Sequence, residues 1–144
     1  MMTYFADRDK NLDRASLVLR LVLGAVFVAH GYQKVFEMGV PNVVGFFGGL
    51  GIPMARLAAP FIAYLELLGG AAIFLGGFTR VIALLIACDM LVAIILVHAK
   101  GGFFVPKGIE LVFGNFGMAI ALVFLGAGAY SIDAMLARRG SPTT

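Results

Sequence analysis

Residues 57–99 read LAAPFIAYLELLGGAAIFLGGFTRVIALLIACDMLVAIILVHA. Two apolar runs, Leu57–Gly77 and Val81–Ala99, are parted by Gly76-Gly77-Phe78-Thr79-Arg80. Each run has about 20 residues, the length an α-helix needs to cross about 30 Å of hydrocarbon. The glycines between them predict a tight helix–helix hairpin, glycine ending the first helix. Working outward, Leu17–Phe36 and Ile109–Tyr130 have the same length and apolar character. The reading is an all-α integral membrane protein, a four-transmembrane-helix bundle in one domain over residues 1–144. A short soluble tail, 131–144, follows.

Composition agrees. The chain has 144 residues, of which 61% are hydrophobic and only 13% charged, against about 25% charged in ordinary soluble domains. A soluble fold of this length could not cover so much apolar surface; a bilayer removes the need. The net charge of +3 comes from basic residues scattered singly between apolar runs. That dispersal argues for contact with anionic lipid headgroups and against nucleic acid. The lone cysteine, Cys88, excludes an internal disulfide and a CxxC redox pair. Within its apolar run it reads as a small buried hydrophobe. A cleavable signal peptide is not expected, because the first apolar run continues to His30 and Lys34 instead of ending after about 7–15 residues.

Orientation follows from the basic residues. With four spans, both termini and the Arg80 turn share one side, together with Arg8, Lys10, Arg14, Arg138 and Arg139; Lys34, Arg56, Lys100 and Lys107 fall on the other. The bias puts both termini in the cytoplasm. The segment Pro41–Pro53, PNVVGFFGGLGIP, is apolar and too short to span, so it is expected to lie at the interface or re-enter the bundle. The loop Lys100–Gly108 is expected at the same interface. Small residues at Gly24, Gly69, Gly70, Ala72 and Gly76 provide for close helix packing in lipid.

Ionisable groups within the spans need a reason, since a central charge costs about 2.5–3.5 kcal/mol on insertion scales. A rise of about 1.5 Å per residue puts Glu66 about 14 Å and Asp89 about 12 Å into their helices, near the midplane. Neither can snorkel, so each must be paired, protonated or facing a watery cavity. Arg20 lies near the inner end of span one; snorkelling to the headgroups and an ion pair with Glu66 or Asp89 are equally good readings. His30 and Lys34, four apart, face one way in the outer half, with His98, Glu110 and Asn115 at similar depth. For Lys34, Glu37, Lys100 and Glu110 interfacial solvation is the default, while Gln33 and Asn115 read as helix–helix hydrogen bonds. The candidate ligand-binding set is Arg20, His30, Lys34, Glu66, Asp89 and His98. No HExxH, GxSxG, Walker or CxxCH motif is present, and no metal site is read.

Four stretches, in order, resemble the DoxX-like family of bacterial inner-membrane proteins. They are Leu19-Arg20-Leu21 with Ala29-His30-Gly31-Tyr32-Gln33-Lys34, then Gly51-Ile52-Pro53, then Leu65–Gly70 continuing through Leu75–Arg80, and last Gly126–Asp133 with its G-x-G-x-x-S-x-D pattern. The resemblance implies a four-helix inner-membrane bundle with Arg20, Lys34 and Glu66 at its polar core. It also implies a subunit or anchor supporting a membrane oxidoreductase system. No cofactor is required on this reading; quinone is the lipophilic ligand it suggests, and a protein partner or homo-oligomer is expected in the membrane. Two alternatives stand beside it: a proton or small-solute channel using Glu66 and Asp89, and a purely structural partner protein.

Overall fold

The computed structural model describes residues 2–139, with side-chain surroundings from residue 7 onward. Among these residues every regular element is helical. Helix α1 (Met2–Tyr32) passes without a break into a π-helical turn, Gln33–Gly39, where Gly39 at φ 79° interrupts the helix before α2 (Val40–Gly49). After a turn, α3 (Ala55–Tyr64), a second π-helical turn (Leu65–Gly69) and α4 (Gly70–Leu75) form one rod. Helix α5 (Thr79–Val92) runs on through a third such turn, Ala93–His98, and α6 (Glu110–Leu125) and α7 (Ile132–Arg139) complete the chain.

Two of these rods, Ala55–Leu75 and Thr79–Gly101, are long and apolar enough to cross a membrane, and α6 is a shorter apolar helix. The hairpin between the rods forms as the glycines predict. Gly76 adopts φ 76°, a left-handed cap that only glycine holds without strain, and its N–H donates to the Ile73 carbonyl.

The last apolar run stops earlier than its hydropathy suggests. Helix α6 ends at Leu125, five residues before Tyr130, because Gly126 and Gly128 both turn to positive φ. The tail is not merely a solvated extension either. It contains α7, although residues 140–144 lie outside the described residues. Pro41–Pro53 likewise resolves into a definite element. It contributes most of α2, which turns Val43 and Phe47, one helical turn apart, into a small core with Ile52 and Ala59.

The main core is Leu23, Phe27, Ile73, Ala83, Ile86, Ala87, Met90, Ala119 and Leu122. The outward surface is also apolar: Val18, Val22, Leu68, Phe74, Val81, Leu91, Ile95, Phe113 and Phe124 are all exposed. This pattern, apolar inside and out, is that of a chain whose solvent is lipid.

One end is tied by a polar knot around the closing Gly126–Asp133 stretch. Ser16 Oγ donates to the Gly126 carbonyl (2.6 Å), and the Ala129 N–H donates to Asp13 Oδ1 (2.8 Å). The Asp133 carboxylate receives the N–H groups of Phe78 (2.8 Å) and Thr79 (3.0 Å), capping the otherwise unsatisfied start of α5. Ser131 Oγ accepts from the Ala134 N–H (3.1 Å), the matching service for α7. The Asp13–Arg20 stretch of α1, the hairpin and the end of α6 therefore meet here.

Arg20 belongs to the same knot. Its side chain is fully buried, donating to the carbonyls of Phe74 (3.2 Å) and Tyr130 (2.6 Å). It neither snorkels to headgroups nor pairs with Glu66 or Asp89, so both sequence readings are corrected. The reason is reach: the left-handed Gly76 clears a slot against the guanidinium that any Cβ would fill, and the carbonyls of Phe74, in the last turn of α4, and Tyr130, in the α6–α7 link, accept from it.

Candidate functional site

Helix α1 crosses the α3–α4 rod at unusually close range, and that crossing builds the site. A Cβ on Gly24 would come within 2.7 Å of the Phe74 backbone nitrogen, and one on Gly31 would lie 2.5 Å from Leu67 Cα. With no side chain at either position the two backbones touch, as small residues allow in lipid-solvated packing. Gly31 thus sets Lys34, one turn further along, against Glu66, the neighbour of Leu67.

The Lys34 ammonium and the Glu66 carboxylate form an ion pair and hydrogen bond. Their side chains are only 21% and 5% exposed. Interfacial solvation is therefore not the fate of Lys34. A cation and an anion brought together in so dry a place repay their desolvation by mutual attraction.

Lys34, Glu66 and His98 each sit in one of the three π-helical turns. Such wide turns are rare and recur at functional sites. All three border one cavity of about 630 Å³, within the range of small-molecule sites. Its wall also includes His30, Asp89 and Asn115. Most of the rest is apolar: Phe27, Phe46, Phe47, Ile52, Phe61, Ile62, Met90 and Val112. Phe46 and Phe47 of α2 and residues Val105, Pro106 and Gly108 of the roof loop, which joins His98 to α6, are part of the same wall.

Five of the six candidate residues, His30, Lys34, Glu66, Asp89 and His98, thus share one cavity; Arg20 lies apart in the knot. Asp89 is buried and its Oδ2 has no hydrogen-bond partner, although it lies within electrostatic reach of Glu66 and Lys34. With Lys34 engaged by Glu66, Asp89 Oδ2 is a buried acceptor still unanswered, and such groups call for an explanation. His98 Nδ1 lies 3.3 Å from the Lys107 carbonyl, which ties the ring to the roof loop. Among the described residues no three His, Cys, Asp or Glu side chains gather as metal ligands.

Three smaller readings change. Asn115 is buried at the cavity wall and not engaged in a helix–helix hydrogen bond, and Gln33 is exposed. Cys88 is exposed at the cavity edge instead of being a buried hydrophobe. The aromatic lining was missed in sequence, although Phe46-Phe47 in a segment too short to span is the signal that could have revealed it.

Helices throughout the described residues, an apolar exterior and an interior cavity with polar groups in its wall define a small membrane protein. The chain belongs to the DoxX family, whose model matches residues 15–99. It is 37% identical over 95 residues to CatD of Bacillus subtilis, which is provisionally named an oxidoreductase; the match covers 66% of this chain and 68% of CatD. It is 32% identical to the membrane protein Rv3486 of Mycobacterium tuberculosis, covering 87% of this chain and 83% of that one. The inner membrane protein YqjF of Escherichia coli is 30% identical, with 88% and 95% covered. No solved structure matches the chain.

Proposed function

We propose that this protein is a four-span subunit or anchor of the bacterial inner membrane, with both termini cytoplasmic, whose cavity holds a lipophilic ligand in support of a membrane oxidoreductase system. The observation that carries the reading is the cavity itself. An apolar, aromatic chamber of about 630 Å³ carries a few polar groups in its wall, Lys34–Glu66, Asp89, His30 and His98. That is the complement of a molecule with one polar head and an apolar body, and a quinone is such a molecule. The names of the relatives support the setting: two are named as membrane or inner-membrane proteins and one as a provisional oxidoreductase. Lipids surround the exterior, and a redox partner or a second copy would dock on it.

The channel reading has less support. Between the cavity and the polar knot, Leu23, Ile73, Ile86 and Leu122 are each completely buried, a dry plug with no polar step for a proton or solute.

Thermal unfolding of the purified protein in nanodiscs, with and without decylubiquinone and decylubiquinol, tests the reading. A ligand that binds only the folded protein at 100 times its Kd stabilises it by about 2.7 kcal/mol. A clear rise in Tm is expected for the parent protein with at least one of the two. No rise in a variant lacking both Lys34 and Glu66 is the accompanying expectation. No rise in the parent at saturating concentrations would overturn the quinone assignment.

A further inference from the structure

The cavity is unevenly walled. Helix α5 packs on α6, on α4 and on the Leu65–Gly69 turn, while α3 packs on α2 and on α1. Yet α3 and α5, which follow one another through the hairpin, make almost no contact. The two rods diverge from the Gly76 turn like the arms of a V. Between the arms, the cavity is bordered by Phe61 on one side and by Leu85, Cys88 and Val92 on the other, all four of them exposed. Behind this apolar border lies Asp89, buried, with Oδ2 unpartnered.

We infer that the gap between α3 and α5 is a lateral portal, through which a single-chain amphiphile enters the cavity from the bilayer with its head toward Asp89. The inference rests on the ligand-binding reading above and adds a route and a head-group chemistry. A ligand arriving from water would cross a polar mouth, whereas this border carries no charged side chain and faces the apolar exterior. The roof loop is tied by its own hydrogen bonds. There Val105 N–H is held by Glu110 Oε2 (3.2 Å), and the Ile109 and Glu110 N–H groups bond back to the carbonyls of Gly102 (3.0 Å) and Phe103 (2.8 Å).

The head group follows from what is left unsatisfied. Among the described residues, the one cavity-lining side-chain oxygen that is buried without a partner is Asp89 Oδ2. A head that donates a hydrogen bond, such as a phenolic hydroxyl, answers it. Decylubiquinol supplies that donor and decylubiquinone does not, so the quinol is expected to be held more tightly.

The chain contains no tryptophan, and bulk added at exposed positions of α5 leaves the core intact. Cys88→Trp and Val92→Trp obstruct the portal, while Leu84→Trp adds the same ring to an exposed position of α5 that does not border the cavity. The rate of decylubiquinol association is measured in nanodiscs for each variant whose helical circular dichroism matches the parent, with Kd for both forms alongside. The portal variants are expected to associate at least tenfold more slowly and Leu84→Trp within about twofold of the parent, with decylubiquinol bound more tightly than decylubiquinone throughout. Equal association rates in all three variants, with the parent binding normally, overturn the portal alone. Preference for decylubiquinone overturns the head-group assignment, and no binding by the parent overturns the ligand reading as well.

Discussion

Glu66→Gln is expected to destabilise the protein by about 3 kcal/mol, the lower end of the cost of stripping one partner from a buried ion pair. Glutamine fills the same space and can still accept a hydrogen bond, so packing is not what is lost. What is lost is the charge that justifies an ammonium at Lys34, whose side chain is only 21% exposed. The lower end is appropriate because that residual exposure lets Lys34 recover part of its solvation. Replacing both groups, Lys34→Met with Glu66→Leu, removes the orphan as well as the pair. The double variant is expected to be more stable than Glu66→Gln, since apolar replacements of buried pairs are often neutral or better. Reversible unfolding in mixed micelles, followed by circular dichroism, measures both differences from the parent. A loss below about 1 kcal/mol for Glu66→Gln, the ordinary worth of an exposed pair, would mean that the pair is solvated in the membrane-borne protein.

The second large effect is steric. Gly31→Ala introduces a methyl group into space already held by the Leu67 main chain, with Leu67 Cα at 2.5 Å and its Cβ at 2.7 Å. Backbone cannot swing aside as a side-chain tip can, so the α1 crossing must open. Overpacking of this kind costs about 1–3 kcal/mol and sometimes more; the upper end is expected because the methyl meets the Leu67 main chain. The opening also draws Lys34 away from Glu66, so Gly31→Ala should lower ligand affinity although residue 31 does not border the cavity. Gly114→Ala and Gly117→Ala are the natural comparison. Both lie within α6 with open space where the methyl would go, and alanine favours helix by about 1 kcal/mol over glycine. They are expected to be neutral or mildly stabilising in the same unfolding assay. A Gly31→Ala variant as stable as these two would show that the crossing is not close-packed.

Much of the architecture was legible in the sequence because lipid-solvated helices are long, apolar and punctuated by glycine. Helical rods stand where Leu57–Gly77 and Val81–Ala99 were read, shifted by two residues at each end, and the Gly76 cap was readable as a turn. The end of α6 was not. Hydropathy continues smoothly through Gly126-Ala-Gly-Ala-Tyr130, and what stops the helix is a pair of positive-φ glycines held by Ser16 and Asp13 from more than a hundred residues away. Arg20 illustrates the same limit. Its depth was calculable from helical rise, but its partners are main-chain carbonyls of Phe74 and Tyr130, and carbonyls leave no trace in a pattern of charged residues.

Of the candidate site, depth arithmetic on each helix was enough to single out Glu66 and Asp89 as the groups needing a reason. It could not pair Glu66 with Lys34, because that contact depends on how closely two helices approach, which Gly31 decides. Nor could it show that the Gly-rich segment after span one folds back as α2 and contributes Phe46 and Phe47 to the same chamber. The sites of polar groups are one-dimensional facts; the chamber they share is not.

Native mass spectrometry of the protein released from its own lipid membranes, alongside an Asp89→Leu variant of matching helical content, bears most directly on the cavity as a ligand site. The parent is predicted to carry one tightly held lipophilic molecule per chain, with a polar head and a mass distinct from the bulk phospholipids, and the variant to have lost it. A parent chain that emerges empty, or an identical adduct on both proteins, would contradict the account.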